Sequence, residues 1–309
     1  MKKLLFALPA ILLAVFISGC SKNPDDELAE KIPATATSLC FIDGNALVQT
    51  KLYKDHQKEI LKELQEASLP EDIFQCRILL FVSPKDEWGG ALLQSKQGQV
   101  KKIFDFLLSK AKEDKDMQLK ETKEKDEIRV TTTIEDKPVI AILYHENLML
   151  VSVGKTDPAL FKAESVNPLF KQITLKNMLL SAAEKVEFPQ QGEFKEVVDT
   201  ALQLVPALKK LQFATINVPF EPGKPINLDF RGVCQDETGA NELLAAVNMG
   251  LGLLTQTQDP DALKLVNMIN RKAEKNVVVI SIPIEEAVKW IEESEKQKQQ
   301  SQSKDGLAD

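Results

Sequence analysis

The first twenty residues show where the folded part of this chain can begin. Lys2 and Lys3 form a short positive start, and residues 4–17 are then apolar throughout, with Pro9 inside the run. A membrane-spanning helix needs about 20 apolar residues, so this run is too short to cross a bilayer. A buried core helix is a poor explanation, because a segment that is hydrophobic on every face should not begin behind two lysines at the N-terminus. The pattern predicts an export signal, and the folded body then lies downstream of it.

The signal ends in Ile17, Ser18, Gly19 and Cys20, and these four residues resemble the lipobox of bacterial lipoproteins. In that family the chain is cut just before the cysteine, whose sulfur is joined to diacylglycerol, and the new α-amine often receives a third acyl chain. The resemblance implies cleavage between Gly19 and Cys20 and lipid attachment at Cys20. We expect a membrane to be the partner, held through this covalent anchor, because two or three acyl chains anchor a protein stably.

The residue after the cysteine predicts where the anchored protein resides. An Asp directly after the lipidated cysteine would resemble the inner-membrane retention signal of Gram-negative lipoproteins. This chain has Ser21 at that position instead. The resemblance implies a cell-envelope protein on the outer membrane, facing the periplasm. In a Gram-positive cell the same anchor would lie on the outer face of the single membrane.

The charge of the mature chain limits its other partners. The sequence has 39 Lys and Arg against 46 Asp and Glu, and removing Lys2 and Lys3 with the signal takes the net charge from −7 to −9. Phosphate binding depends on Lys and Arg, so we expect no nucleic-acid partner. An acidic surface also disfavours electrostatic docking on anionic lipid. The sequence does not identify a protein or cell-wall partner.

Hydrophobic patterning divides the chain into five segments. The stretch after the signal is polar and shows no apolar periodicity before Ile32, which predicts a flexible tether. The C-terminal end is polar low-complexity sequence that cannot bury enough surface to become ordered. The predicted boundaries are 1–19 for the signal peptide, 20–32 for the lipidated N-terminus and tether, 33–187 and 188–294 for two α+β units, and 295–309 for a disordered tail.

The body predicts an α+β fold with antiparallel sheets and packed helices. Its composition, 43% hydrophobic and 28% charged residues, can fill a sizeable core. Short alternating apolar stretches between turn residues predict strands. The order strand, turn, strand, helical stretch and strand occurs twice, in residues 76–134 and 213–284, so two related units are possible. Helical periodicity predicts two helices within 157–185, one at 194–211, and two at 237–256 and 260–274.

The start of the body, IPATATSLCFIDGNAL, resembles an uncharacterised group of bacterial secreted proteins and lipoproteins. Their domains begin with proline and small or polar residues, followed by a strand ending in Ile-Asp and then a helix. The likeness is carried by Pro33, Ala34, Ala36, Ile42 and Asp43. That group has no established activity, so the resemblance implies an α+β fold and no chemistry.

Three cysteines remain beside the anchor: Cys40, Cys76 and Cys234. An odd number cannot all pair. Disulfides are permitted outside the cytoplasm, and Cys40 with Cys76 is a possible disulfide because both lie on predicted strands. The alternative is that all three are small buried apolar side chains, which is where free cysteine is usually found. The sequence is consistent with both interpretations.

Two short motifs have the spelling of catalytic sites but lack the rest of the pattern. Gly154, Lys155 and Thr156 end a strand as in a nucleotide-binding loop, but the glycine required five residues earlier is Met149. Ser152 and Lys155 have the Ser-x-x-Lys spacing of penicillin-binding enzymes. In that family the serine begins a helix and further Ser-Asp-Asn and Lys-Thr-Gly elements complete the site. Here the serine lies within a predicted strand, so the motif predicts a turn and no catalytic residues.

The remaining candidates are weaker. His56 and His145 have no closely spaced acidic or thiolate ligands, so we expect neither a metal site nor a cofactor. One helix face could line a groove for lipid or peptide, but packing on the sheet is the commoner use of such a face; this face consists of Leu243, Leu244, Val247, Leu251 and Leu254.

These observations predict a membrane-anchored bacterial envelope lipoprotein that acts in binding, scaffolding or envelope maintenance, without catalysis. Two alternatives stay open. One is an envelope hydrolase or amidase whose site residues are dispersed along the sequence, and the other is a carrier of an apolar ligand.

Overall fold

A computed structural model describes residues 24–290 of the chain, except 67–68, 84–86, 97, 115–116, 125, 163–165, 189–194 and 258. The fold is α+β, as predicted, and its strands form one antiparallel sheet. The strands are β1 Ser38–Asp43, β2 Arg77–Ser83, β3 Trp88–Gln94, β4 Lys120–Glu124, β5 Glu127–Ile134, β6 Lys137–Tyr144, β7 Leu148–Val153, β8 Met178–Lys185, β9 Leu211–Pro219, β10 Asn227–Cys234, β11 Asn270–Glu274 and β12 Val277–Pro283. The helices are α1 Pro24–Glu30, α2 Gly44–Leu47, α3 Lys51–Glu66, α4 Gln99–Glu113, α5 Lys195–Leu204, α6 Glu237–Gln256 and α7 Pro260–Met268, and residues 284–290 are also helical.

The sheet is built outwards from a central pair of strands, β1 and β8. The order is β11-β12-β10-β9-β8-β1-β2-β3-β7-β6-β5-β4. On one side β1, β2 and β3 are neighbours and α4 follows them; on the other side β8, β9 and β10 are neighbours and α6 follows them. The two halves therefore share their order of elements, and the pairing of β1 with β8 joins them into one continuous sheet. Strand β8 begins the second set, although it lies within the predicted first unit.

Two regions predicted to be helical end in strands in the structure. Residues 157–185 contain two short 3-10 helices, Pro158–Phe161 and Pro168–Lys171, and then β8, so the helical prediction is wrong for residues 178–185. The letters of β8, MLLSAAEK, favour a helix, but β8 is hydrogen-bonded to a strand on each side, and this pairing overrides a weak local propensity. The helix predicted at 260–274 likewise ends with α7, and its last residues form edge strand β11.

The predicted tether, residues 20–32, is wrong in its second part, because α1 is docked on the body. Leu28 and Ile32 are completely buried in the main core. At the start of the helix, Asp25 accepts a hydrogen bond of 2.6 Å from Arg77 at the beginning of β2. The sequence pattern missed this helix because Leu28 is its one large buried side chain, and Ile32 lies beyond its end, so no helical period is established.

The main core lies on the side of the sheet that α1 covers, which we call the α1 face. It contains Phe81, Trp88 and Phe161, whose rings pack with centroids 5.7 to 6.3 Å apart. Gly90 lies under the Phe81 ring, and a Cβ atom there would be 2.5 Å from that ring and 2.4 Å from the carbonyl oxygen of Val151. This close approach explains why β3 has glycine at a central position.

The opposite side of the sheet, the α4 face, carries two helices with a gap between them. In the first half, α4 packs Val100, Ile103 and Phe104 against β3, β6 and β7. In the second half, α6 packs Ala240 and Leu243 against β10 and β12. The middle strands of the sheet lie between these two covered regions.

Candidate functional site

A row of apolar side chains crosses the α4 face through the gap between α4 and α6. Side chains directly opposite one another on paired strands lie on the same face of a sheet, so the row follows from the strand register. Each member is the pairing partner of the next: Ile280, Phe230, Ile216, Ala182, Cys40, Leu80, Ala91 and Val151.

Five large apolar side chains in and beside this row are exposed to solvent, and we call them the open strip. They are Leu80 (39% exposed), Val82 (44%), Val153 (39%), Ile216 (38%) and Phe230 (37%). Strands β10 and β7, which hold the ends of the strip, are separated by six strand spacings, or about 29 Å. Isolated exposed apolar residues are ordinary, but contiguous ones on one surface indicate a place where something binds.

Small side chains form the floor of the open strip. Ala182 and Cys40 lie between the larger Ile216 and Leu80, and Gly89 and Ala91 lie beside Leu80 and Val82. A depression of about 750 Å³ opens over β2, β3 and β7 at one end of the strip, and Lys137 and Glu87 are among the residues that line it. Such a shallow apolar surface can hold a flat or extended apolar partner.

The proposed pairing of Cys40 with Cys76 is wrong. Cys40 lies opposite Leu80, whereas the carbonyl of Cys76 accepts a hydrogen bond from Gly44, four residues after Cys40 and just past the end of β1. Four residues of strand span about 13 Å, and a disulfide requires Cα atoms within about 7 Å. The three described cysteines are free thiols.

The free thiols have little nucleophilic character. Cys76 and Cys234 are completely buried, as the alternative interpretation expected, and Cys40 is half-buried in the row. Burial raises the pKa of Cys76 to about 12 and also raises the pKa values of Cys40 and Cys234. With these raised pKa values the thiols are protonated at neutral pH. They react slowly, because the thiolate is the reactive form.

The residues of the two catalytic-looking motifs form a turn. Ser152 is completely buried in β7, and its hydroxyl donates a 2.9 Å hydrogen bond to the carbonyl of Lys155. The Lys155 ammonium lies 5.2 Å from the centroid of the Trp88 ring. Gly154 has a φ of +95°, and Asp157 accepts a hydrogen bond from Ala159 to begin the following 3-10 helix. The strand ending at Gly154 therefore agrees with the non-catalytic interpretation of this stretch.

The two histidines lie apart from the open strip. His56 Nδ1 is 2.9 Å from Glu59 on the exposed surface of α3, and His145 is exposed in the β6–β7 turn. Among the described residues, no group of three or more His, Cys, Asp and Glu side chains is arranged to hold a metal ion.

A polar network that the sequence analysis missed lies on the α1 face of the second half. The Ser181 hydroxyl donates a 2.6 Å hydrogen bond to Asn217, and the Asn217 amide lies 3.4 Å from Thr215; all three side chains are buried. On the neighbouring strands, Ser281 donates to Asp229 at 2.6 Å. The alternation of Thr215 and Asn217 with apolar residues in β9 is the signal that could have found it. Hydroxyl and amide groups satisfy one another here, and no histidine or lysine lies in these hydrogen bonds to act as a base for Ser181.

The anchor residues Gly19 and Cys20 lie outside the described residues, but the structure shows how near the folded body begins. Three residues separate Cys20 from Pro24, the first residue of α1. This connection spans at most about 14 Å when fully extended. Within the described part of the chain, no helix has both the length and the apolar character needed to cross a membrane.

Comparisons with known proteins do not assign a family. No protein-family model matches the chain, and no curated protein matches it. A solved structure titled "Structure of crystal form I of TP0453" aligns with a TM-score of 0.40 and 9% sequence identity, over 89% of this chain and 98% of that one.

Proposed function

We propose that this protein is a membrane-anchored lipoprotein of the bacterial cell envelope that binds a partner without catalysis. The observation that carries the proposal is the spacing between the lipobox and the folded body. Cys20 would carry the acyl chains, and only three residues separate it from α1, which is docked through Leu28, with Ile32 buried just beyond the helix. A connection of about 14 Å would hold the body directly against its membrane. Ser21 supports the outer membrane as the location in a Gram-negative cell.

Metabolic labelling tests the anchor. Cells given a labelled fatty acid should incorporate it into the protein, and Cys20→Ala should abolish incorporation. Cys40→Ala is the matched control, because it also removes a cysteine but should retain the label. Label that persists in Cys20→Ala, at the level of the control, would contradict the proposal.

The open strip supports a second candidate function, a carrier of an apolar ligand. Its exposed side chains from Phe230 to Val153 form one apolar surface, and apolar ligands bind on such surfaces. A fatty acid with a fluorescent dansyl group is a suitable probe. Leu80→Glu with Ile216→Glu should weaken its binding to the mature protein, while Leu263→Glu, at an equally exposed apolar position on α7, should not. Equal affinities in the two variants would exclude the strip as the binding surface.

A further inference from the structure

A second apolar surface lies on the helices in the second half of the sheet. It is clearest in the last two turns of α6, where Met249 is 60% exposed, Leu253 59% and Leu254 40%. We call these three residues the α6 ridge. In the same half, Val197 and Leu204 of α5 and Leu263 of α7 are exposed as well. Met249 and Leu253 lie on the side of α6 away from the sheet, whereas Leu254 lies on the side of Leu243 near the end of the helix. This surface is separate from the open strip, because its residues belong to helices and not to the sheet.

Helix α4 provides a comparison within the same molecule. It packs on the same face of the sheet and follows the first set of three strands as α6 follows the second set. None of its fifteen residues is an exposed large hydrophobic. Its solvent side carries charged residues such as Asp105, Lys110 and Glu113. Packing on the sheet therefore does not require an apolar outer surface, and the α6 ridge needs another explanation.

The α6 ridge begins just after a hydrogen bond between α6 and the edge of the sheet. Asn248 accepts a hydrogen bond from Arg271, the second residue of edge strand β11. Beyond this contact, Gly250 and Gly252 have no other atom within 4 Å of where their Cβ atoms would be. Residues 241–257 contain one charged side chain, Glu242. The end of α6 is thus both uncharged and uncovered.

The chain outside the described residues restricts what can cover the ridge. The C-terminal residues 292–309, EESEKQKQQSQSKDGLAD, are almost entirely polar and cannot bury an apolar helix face. At the other end, only three residues separate Cys20 from α1, so the proposed acyl chains keep a bilayer beside the body. A bilayer surface accepts apolar helix faces, and it requires no positive charge where contact is made through apolar area.

We propose that the α6 ridge inserts into the surface of the same bilayer that holds the lipid anchor, which gives the body a second membrane contact and a defined orientation. This inference rests on the proposed function, because the anchor supplies the bilayer. The ridge alone is too small for stable attachment, but an anchored protein needs little additional apolar burial to favour one orientation.

Tryptophan fluorescence tests the contact in the lipidated mature protein. The protein is reconstituted into phosphatidylcholine vesicles with or without bromine on the acyl chains, which quenches tryptophan that reaches them. Leu253→Trp places the probe on the α6 ridge. Ser109→Trp on α4 and Val153→Trp in the open strip are matched controls at exposed positions. The wild-type signal of Trp88 and Trp290 is the background.

We expect brominated vesicles to quench the emission of Leu253→Trp beyond this background and to leave both controls unchanged. If the protein floats with the vesicles but Leu253→Trp is not quenched, the ridge does not touch lipid. This result would support the anchor and contradict the membrane contact of the ridge. Quenching of Val153→Trp instead would assign the contact to the open strip. A dimer in solution that shields the Leu253→Trp probe before vesicles are added would mean that a second copy covers the ridge. Protein that fails to float would contradict the proposed function itself.

Discussion

The docking of α1 can be tested by removing one buried side chain, Leu28. This residue is completely buried, and Leu→Ala at such sites costs about 2–5 kcal/mol of folding free energy. A seven-residue helix is not stable by itself, so α1 exists through its docking. If the lost packing exceeded the free energy of docking, α1 would detach from the body. The cost of Leu28→Ala therefore cannot exceed the docking free energy. The ion pair of Asp25 with Arg77 adds little, since its side chains are 40% and 19% exposed and such pairs contribute about 1 kcal/mol or less.

We expect Leu28→Ala to cost about 2–4 kcal/mol within these limits. At about 2–4 °C per kcal/mol for a protein of this size, the melting temperature should fall by about 4–16 °C. The measurement is thermal unfolding, followed by circular dichroism, of a soluble form that begins at Ser21. Asp26→Ala, at an exposed position of the same helix, should change the stability by less than about 0.5 kcal/mol. Equal melting temperatures for the two variants would show that α1 is not docked, and the argument from its short connection to Cys20 would fail.

Four further predictions concern the stability of the fold. Gly90→Ala should destabilise the protein by about 1–3 kcal/mol in urea unfolding, because the new Cβ would lie 2.4 Å from the Val151 carbonyl oxygen. Gly250→Ala, which meets no atom within 4 Å, should instead stabilise α6 by up to about 1 kcal/mol. Asn167→Ala should cost at least about 2 kcal/mol in the same assay, since its buried amide bonds two carbonyls of the segment before β1, and a wild-type midpoint would contradict this. Burial raises the pKa of Cys76 to about 12, while an unfolded thiol ionises near pH 8.5. Cys76 should therefore add no pH dependence below that pH, and above it should lower the stability by up to about 1.4 kcal/mol per pH unit, so Cys76→Ala should show a smaller slope there.

Alternation of apolar and polar residues identified the fold class and most of the strands, but it failed for β8 and β11. The letters of β8 favour a helix, and its strand form depends on two neighbours that come from distant parts of the chain. Strand β11, NRKAE, has one apolar residue and lies at the sheet edge, so it has no apolar pattern to detect. Both errors arise because tertiary pairing determines strand formation where the local signal is weak.

The open strip could not be predicted because its residues come from strands that are far apart in the sequence. Each strand contributes only one or two side chains, and the register of the pairs aligns them. In β2 the continuous apolar run around Leu80 and Val82 is typical of a strand buried on both faces. The structure covers one face of β2 and leaves the other exposed. The sequence shows that a strand is apolar on both faces. Which of the two faces a helix covers depends on the topology of the whole chain.

The two halves of the sheet share an order of elements and differ in the surfaces that they present. In the first half the α1 face is an apolar core closed by α1 and Phe161, whereas in the second half the same face carries the polar network of Ser181 and Asn217. On the helix surfaces the contrast is reversed: the outer surface of α4 in the first half is charged, and that of α6 in the second half is apolar. The half that lies nearest to the anchor in sequence is therefore closed around the N-terminal segment, and the other half presents the apolar helix surface. If the α6 ridge contacts lipid, the β1–β8 pair connects two membrane contacts through one sheet, and the open strip between α4 and α6 would keep a fixed orientation to the bilayer.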